Sequence, residues 1–517
     1  MITDVLLSLL IWIPIIGGML VLLSQDETGN MARAVAVATV TINLLLCIPL
    51  WFMFDPSTAS MQFQEHADWL PALGIHYALG VDGISMPMVV LTNFTSLLVV
   101  LAATVAIRHH VAHYMAAFLI MQGTMVGVFM ATDAILFYIF WEAMLIPMYI
   151  CIGVWGGPNR SYASIKFFIY TFAGSAFMLV ALLYLGQKAG SFNILSFYNL
   201  RLTLTEQILI FLAFFAAFAV KVPMWPFHTW LPDAHTEAPS GGSVVLAALM
   251  LKMGIYGFIR FNMPITPDAS QYLDWFMIVL GLIAIVYVAY IAIVQADMKR
   301  LIAYSSVSHM GFAIVGCFMV YAIMQSTLLP SSTQHNDAYL SLEGAMIQMI
   351  SHAFGSGALF LAVGVLYDQL GSRLINQYRG VASKMPLLAA FTMLFAMSNV
   401  GLPGTSGFVG EFMIILSAFR AHFWVAFFAA TTLVLGACYT LWFYKRVFFG
   451  AMADAGGGHS PLPLNQLEDI GWVYILVFSL LAVGVLWIGV YPQALIHVMH
   501  NSIAHTLTLA TQSHLTG

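Results

Sequence analysis

Apolar stretches long enough to cross a membrane recur along the whole chain, separated by short polar connections. A helix needs ~20 residues to cross a hydrocarbon core of ~30 Å. Reading apolar windows along the sequence predicts about 14 such helices, which we number as spans 1 to 14 in chain order. An even number of spans places both termini on the same side of the membrane.

Two of the predicted spans contain helix-breaking residues. Span 7, predicted at 208–230, contains KVPMWP, and span 12, predicted at 385–419, contains GLPGTSG. Broken helices at matching positions of two halves are typical of inverted repeats with an ion site at the break. The pattern predicts an all-α integral membrane protein with two inverted five-helix repeats, formed by spans 4–8 and spans 9–13.

The predicted repeats divide the chain into four segments. Residues 1–111 form spans 1–3, residues 112–262 the first repeat, residues 273–446 the second repeat, and residues 447–517 span 14 and a tail. This division leaves no residues for a separate soluble domain.

The composition supports a membrane protein and excludes several other classes. Hydrophobic residues make up 61% of the chain and charged residues 8%, whereas about a quarter of residues are charged in soluble proteins. A net charge of -5 argues against nucleic-acid binding, which requires a basic face. The four cysteines are isolated in apolar segments, without disulfide or metal spacing.

The basic residues fall into two sets of alternating connections. The larger set has eleven members: Arg33, Arg108, Arg160, Lys166, Lys299, Arg300, Arg373, Arg379, Lys384, Lys445 and Arg446. The smaller set has four members: Lys188, Arg201, Arg260 and Arg420. Because cytoplasmic connections carry more Lys and Arg, this asymmetry predicts that both termini lie outside, in the periplasm if the membrane is a bacterial inner membrane.

Six ionisable residues fall within the predicted spans and not in the loops that connect them. They are predicted at membrane depth: Glu142, Lys221, Lys252, His309, His352 and Glu411. A charge at the bilayer centre costs from ~3 to more than ~10 kcal/mol, so such groups are paired, hydrated or functional. The simpler alternative is a structural ion pair between Glu142 and Lys221, with Lys252 extending its ammonium group to the membrane surface. A proton relay through the membrane centre is the functional interpretation that the pattern favours.

Metal and redox sites have weaker support in the sequence. His228, Asp233, His235 and Glu237 are ligand types for zinc or iron, but they share one proline-rich connection and have no partner cysteine. An alternative is that His309 and His352 face each other deep in the bundle and hold a haem. The sequence has no dinucleotide motif, P-loop or CxxC cluster that would indicate a redox cofactor.

Three long motifs resemble the antiporter-like membrane chains of respiratory complex I, the proton-pumping NADH:quinone oxidoreductase. They are KVPMWPFHTWLPDAHTEAPSGGSVVLAALMLKMGIYG from Lys221, VQADMKRLIAYSSVSHMGF at 294–312 and LPGTSGFVGEFMI at 402–414. In the related L and N chains and in sodium/proton antiporter chains, the broken twelfth helix carries lysine. This chain carries Glu411 there, which distinguishes it from those relatives.

The resemblance implies a role for each intramembrane group. Glu142 and Lys221 match the family's paired carboxylate and lysine, Lys252 the central lysine, and Glu411 the distal acid. The connecting histidines match His309 and His352. It implies that protons load from the cytoplasm onto Lys221 and pass to Glu411.

The resemblance also implies partners and cofactors. The chain would be a non-redox subunit of a bacterial inner-membrane translocase, beside the L and N chains and membrane lipids. NADH, FMN, iron-sulfur clusters and quinone would bind partner subunits, with no cofactor or metal in this chain. The alternative within the family is a cation/proton antiporter subunit.

Overall fold

The structure is a computed structural model that describes residues 3–24, 28–327, 330–450 and 467–515. Residues 1–2 and 25–27 of the predicted segment 1–111 lie outside the described residues. So do residues 451–466 and 516–517 of the predicted segment 447–517. Within these ranges, 13 helices are long and apolar enough to cross a membrane. Two shorter consecutive helices take the place of predicted span 12. The predicted helical membrane fold is therefore confirmed.

The spans keep the order predicted from the sequence. Spans 1 to 6 are Leu6–Leu23, Asn30–Met53, Ser85–Ala106, Val111–Met130, Ala134–Trp155 and Arg160–Ala189. Span 7 consists of Leu204–Lys221 and Trp230–Glu237, and span 12 of Pro386–Val400 and Ser406–Ala421. Spans 8 to 10 are Ser240–Ile265, Asp274–Ile293 and Met298–Met324. Spans 11, 13 and 14 are Ser331–Leu370, Phe423–Phe448 and Trp472–Val490.

Local side-chain contacts fix where several spans begin. Span 7 starts with a capping box in which Thr203 and Glu206 each bond the other's backbone N–H. Asp133 caps span 5 by accepting from the N–H groups of Ile135 and Leu136. These caps satisfy N–H groups that have no partner within the helix.

The two predicted breaks are present, and the structure adds others. The first part of span 7 ends at Lys221, and the first part of span 12 ends at Val400. Span 5 is also divided, because its first helix ends at Ala143 and the next begins at Leu145. Pro147 explains this division, since it has no N–H to offer the carbonyl group of Ala143. Spans 8 and 9 further contain π-helical turns at Leu246–Met250, Phe258–Asn262 and Ala284–Val288.

The centre of the bundle is formed by spans 8, 10 and 11. Every residue in the most apolar part of span 8 is buried, as are about nine-tenths of those in spans 10 and 11. Only a third is buried in spans 2 and 14, whose apolar faces look outward. The three central spans carry Lys252, His309 and His352, so these groups lie within protein.

Between spans 2 and 3 the chain forms a β-hairpin that the apolar pattern did not predict. Strand β1, Gln62–Leu70, pairs antiparallel with strand β2, Ile75–Val81, around a short turn at Pro71–Leu73. The tail after span 14 forms a further helix, Gln493–Thr511, which packs against span 11. The remaining short helices are Thr3–Val5, Ile194–Phe197, Pro267–Tyr272, Ile375–Gln377 and Val381–Ser383.

The assignment of Arg260 to an outer connection is wrong. Arg260 lies in the second π-helical turn of span 8, is 7% exposed, and its Nη2 donates to Asp82 Oδ1 at 2.7 Å. Span 8 continues as a helix to Ile265, so the guanidinium group stays within the bundle. The end of the hairpin brings Asp82 to it as a buried counter-charge.

Candidate proton-transfer site

Lys221 is the last residue of the first helix of span 7, and its side chain is 1% exposed. Its Nζ has no hydrogen-bond partner among the described residues and lies 5.1 Å from the centre of the Trp141 ring. A cation above an aromatic face is stabilised by ~0.5 to 2 kcal/mol, depending on how far it is desolvated. The nearest described stabilisation of the ammonium group is therefore an aromatic ring.

Glu142 follows Trp141 in span 5 and is half-buried. No ion pair within 4.0 Å joins it to Lys221, and Glu142 Oε1 has no hydrogen-bond partner among the described residues. The two groups that the sequence predicted as a pair therefore form no ion pair, although Lys221 contacts the residue next to Glu142, Trp141. The division of span 5 at Met144 lies two residues beyond the carboxylate.

Lys252 is fully buried in the α-helical turn between the two π-helical turns of span 8. Its Nζ lies 2.7 Å from His352 Nδ1 and also donates to the carbonyl oxygen of Ala247. His352 is itself 6% exposed. The hydrogen bond therefore joins span 8 directly to span 11 inside the bundle.

Glu411 and His309 form a second buried pair. His309 Nδ1 lies 2.9 Å from Glu411 Oε1, and the amide nitrogen of Gln348 lies 3.3 Å from the same oxygen. Glu411 is 1% exposed and His309 4% exposed. A buried carboxylate that accepts two hydrogen bonds is held in a fixed position.

The break in span 12 shapes the pocket of Glu411. Gly401 directly follows the first helix with φ of +81°, and a Cβ there would lie 3.0 Å from Glu411 Oε2. A Cβ on Gly407 would lie 1.9 Å from the carbonyl oxygen of Ser398. These glycines let the two halves of span 12 approach each other around the carboxylate.

The two buried pairs face each other. The ring centres of His309 and His352 are 5.7 Å apart, and no direct hydrogen bond joins the two side chains among the described residues. Between them is a cavity of ≈ 10 Å³, lined also by Gln348, Ser351 and Ser398. That volume corresponds to roughly one water position.

No hydrogen bond among the described residues joins Lys221 to Lys252. Spans 7 and 8 nevertheless pack closely beside both lysines. A Cβ on Gly254 would lie 2.5 Å from Val222 Cγ2 and 2.9 Å from the carbonyl oxygen of Phe218. Glycine at this position allows the backbone that carries Lys252 to contact the helix end that carries Lys221.

The polar residues after the break in span 7 contact different parts of the protein and not one another. Asp233 accepts from Lys166 at 2.8 Å and from Arg300, and Glu237 accepts from the N–H of Asn159 at 3.0 Å. His235 is fully buried and stacks on Phe360 at 4.5 Å between ring centres. The four candidate ligands His228, Asp233, His235 and Glu237 do not form a metal-ligand group among the described residues.

A large cavity opens at the edge of the bundle that the charge asymmetry assigns to the cytoplasm. Its volume is ≈ 1010 Å³, and the charged residues that line it are Arg108, Glu237, Lys299, Asp368, Arg373, Glu468 and Asp469. Lys299 is 2% exposed, and its Nζ donates to the carbonyl oxygen of Ala238 at 2.7 Å. The second helix of span 7 therefore forms part of the cavity wall.

Sequence reasoning missed several polar groups of the site. Gln348 contacts Glu411, and the hydroxyl of Tyr439 lies 3.5 Å from His309 Nε2 and 3.1 Å from Ser305 Oγ. Gln348 lies four residues before His352, so the spacing of one helical turn could have identified it. Tyr439 has no such signal, because span 13 meets His309 only in the folded bundle.

Comparisons with known proteins agree with the membrane fold. Residues 131–436 match the family model described as NADH:quinone oxidoreductase/Mrp antiporter, transmembrane. NADH-quinone oxidoreductase subunit M of Rhodobacter capsulatus is 43% identical, over 97% of this chain and 96% of that protein. NADH-ubiquinone oxidoreductase chain 4 of Marchantia polymorpha is 39% identical, over 96% of both chains. A chain of respiratory complex I from Thermus thermophilus superposes with a TM-score of 0.84 at 28% identity, covering 99% of this chain and 100% of that one.

The chain therefore belongs to the NADH:quinone oxidoreductase/Mrp antiporter membrane family. Within that family it groups with NADH-quinone oxidoreductase subunit M. The resemblance drawn from the three sequence motifs is confirmed.

Proposed function

We propose that protons move through this chain along the series Glu142, Lys221, Lys252, His352, His309 and Glu411. The observation that carries the proposal is the buried succession from Lys252 to His352 at 2.7 Å and from His309 to Glu411 at 2.9 Å. Groups of this type at membrane depth are typical of proton relays. The function is proton pumping as a membrane subunit of NADH:quinone oxidoreductase.

Membership of the family indicates the partner subunits and the membrane in which the chain works. Its partners are other membrane subunits of complex I, and we propose the L and N chains as immediate neighbours. We further propose that NADH, FMN, iron-sulfur clusters and quinone bind partner subunits, so that this chain holds no redox centre. The chain would lie in a bacterial inner membrane with both termini in the periplasm, in accord with the eleven-to-four asymmetry of its basic residues.

Proton loading would begin at Lys221. No hydrogen bond to Lys221 Nζ is present among the described residues, and the ring of Trp141 is the closest stabilising contact described for the ammonium group. Bringing the Glu142 carboxylate closer favours the charged lysine, and withdrawing it favours release of the proton. The turn at Met144 provides a hinge for such a movement next to Glu142. The charged cavity beside span 7 supports uptake from the cytoplasmic side.

The second half of the transfer would pass between the two histidines. A water molecule in the cavity between His352 and His309 would close the 5.7 Å separation of their rings. Imidazole can accept a proton on one nitrogen and release it from the other. Glu411 would then receive the proton and release it toward the periplasm.

The direct test is NADH-driven proton uptake by membrane vesicles that contain the complete complex. We expect Lys221→Met and Glu142→Gln each to abolish most of the uptake while the complex still assembles. Lys384→Met, which removes an exposed lysine, is the matched control and should pump normally. Normal uptake by both site variants in an assembled complex would contradict the proposal.

The family also includes sodium/proton antiporter chains, so ion selectivity needs its own test. An antiporter predicts sodium-dependent proton exchange in the absence of NADH. We expect no such exchange, because Glu411 stands where, by the resemblance, those relatives carry lysine. Exchange driven by a sodium gradient alone would favour the antiporter.

A further inference from the structure

Three potential metal ligands share one face of the β-hairpin outside the bundle. His66 and Asp68 are two residues apart on β1, so both side chains point to the same side of the sheet. His76 on β2 pairs directly with Asp68 in the antiparallel register. The fold therefore brings together ligand types that lie ten positions apart in the sequence.

The ligand atoms of these residues are close together. His76 Nδ1 lies 3.1 Å from Asp68 Oδ1, the rings of His66 and His76 are 4.8 Å apart, and one ligand atom from each residue lies within 4.8 Å of the others. His66 and Asp68 are exposed. An ion could therefore reach the cluster directly from solvent.

The hairpin holds this face in a fixed position. On its opposite face, Glu65 accepts from the N–H of Leu7 at 2.7 Å and attaches β1 to span 1. The N–H of His76 donates to Asp133 Oδ2 at 3.1 Å, and the N–H of Thr132 donates to Ala78 at 3.0 Å. The backbone that carries the ligands is thus tied to the starts of spans 1 and 5.

We infer that His66, Asp68 and His76 bind a divalent first-row transition-metal ion, with Zn²⁺ as the reference ion. Zinc takes imidazole nitrogen at ~2.0 to 2.1 Å and carboxylate oxygen at ~2.0 to 2.2 Å, so neighbouring ligands of a tetrahedral site are separated by ~3.3 Å. The Asp68–His76 separation of 3.1 Å already matches this value, and His66 offers a ring nitrogen within 4.8 Å of both ligand atoms. Water would complete the coordination.

The donor set also selects the kind of ion. Calcium and magnesium require several oxygen ligands, and this cluster offers only one carboxylate. Two imidazoles and one carboxylate suit zinc or copper. The simpler alternative is a hydrogen-bonded Asp68–His76 pair, which gives no role to His66.

The test uses the purified complete complex, treated with chelator and then titrated with Zn²⁺ in the presence of a competing indicator dye. We expect the wild type to bind one more zinc equivalent than His66→Ala, Asp68→Asn or His76→Ala, and each variant to lose at least ~10-fold in affinity for it. His505→Ala, which removes an exposed histidine from the terminal helix, is the matched control and should keep the equivalent.

Migration as the complete complex in native electrophoresis would show that the hairpin variants assemble. Because imidazole binds metal only when neutral, acidification should release the same equivalent. Equal zinc stoichiometry and affinity in the wild type and the three variants would overturn the inference. So would loss of the equivalent in Asp68→Asn and His76→Ala but its full retention in His66→Ala.

Discussion

Lys252 Nζ and His352 Nδ1 lie 2.7 Å apart at the buried centre of the chain, where they connect span 8 to span 11. Lys252 has no carboxylate within ion-pair distance among the described residues, so its stabilisation comes from the imidazole and one backbone carbonyl. This arrangement suits a group that passes a proton on, because a strong ion pair would retain it.

The Lys252–His352 contact predicts that pumping requires both residues. Lys252→Met would remove both hydrogen bonds at a cost of ~1 to 3 kcal/mol for the buried groups left unpaired, and would stop transfer. His352→Gln would retain a hydrogen-bonding side chain that cannot relay a proton. We expect both variants to assemble, as judged by native electrophoresis, and to lose most NADH-driven proton uptake. Full pumping by His352→Gln would show that the imidazole serves only as a structural acceptor.

The ring of Trp141 predicts a graded effect on the adjacent lysine. Trp141→Phe would keep a weaker aromatic face above Lys221, whereas Trp141→Leu would remove a contact of ~0.5 to 2 kcal/mol. Initial rates of proton uptake should therefore decrease in the order Trp, Phe, Leu. Trp487→Leu, an exposed tryptophan of span 14, is the control. Equal rates in Trp141→Leu and the wild type would exclude a role for the aromatic contact.

If Glu411 carries the transferred proton, proton uptake should depend more on its carboxyl group than on the shape of its side chain. Glu411→Gln would preserve the size of the side chain and contacts with His309 and Gln348 but could not bind the transferred proton. Glu411→Asp would keep a carboxylate one methylene further from His309. We expect Asp to retain part of the uptake and Gln to retain almost none, measured at equal amounts of assembled complex. The reverse order would mean that side-chain reach matters more than ionisation.

The buried pair between Asp82 and Arg260 predicts an effect on stability. Asp82→Asn would leave the buried guanidinium group without its counter-charge, which costs ~3 to 5 kcal/mol. Replacing both partners with apolar residues, as in Asp82→Leu with Arg260→Met, should recover much of that loss. Thermal unfolding of the detergent-solubilised complex would measure this. A double variant as unstable as Asp82→Asn would imply that other contacts of Arg260 dominate.

Most of the bundle could be predicted because a membrane span leaves a strong sequence signal. Apolar length and proline positions located the spans and the breaks after Lys221 and before Glu411. The cost of burying a charge drew attention to the six ionisable groups. The structure places four of them, Lys252, His352, His309 and Glu411, in two hydrogen-bonded pairs.

The remaining features depend on contacts between distant parts of the chain. The position of Arg260 looked like a helix end because its partner Asp82 is far away in sequence. The hairpin was not predicted, because strands of seven and nine residues leave a much weaker hydrophobic pattern in the sequence than long apolar helices do. The division of span 5 at Met144 was also missed, although Pro147 lies one turn further along the same span.

The π-helical turns of span 8 have a mechanical consequence for Lys252. Each π turn holds one residue more than an α turn, and such turns are frequent at functional sites. If the turn at Leu246–Met250 migrated past Lys252, the lysine would rotate by ~100° about the helix axis without any part of the helix unfolding. Such a local slip of register would turn Lys252 away from His352 while both ends of span 8 stay fixed.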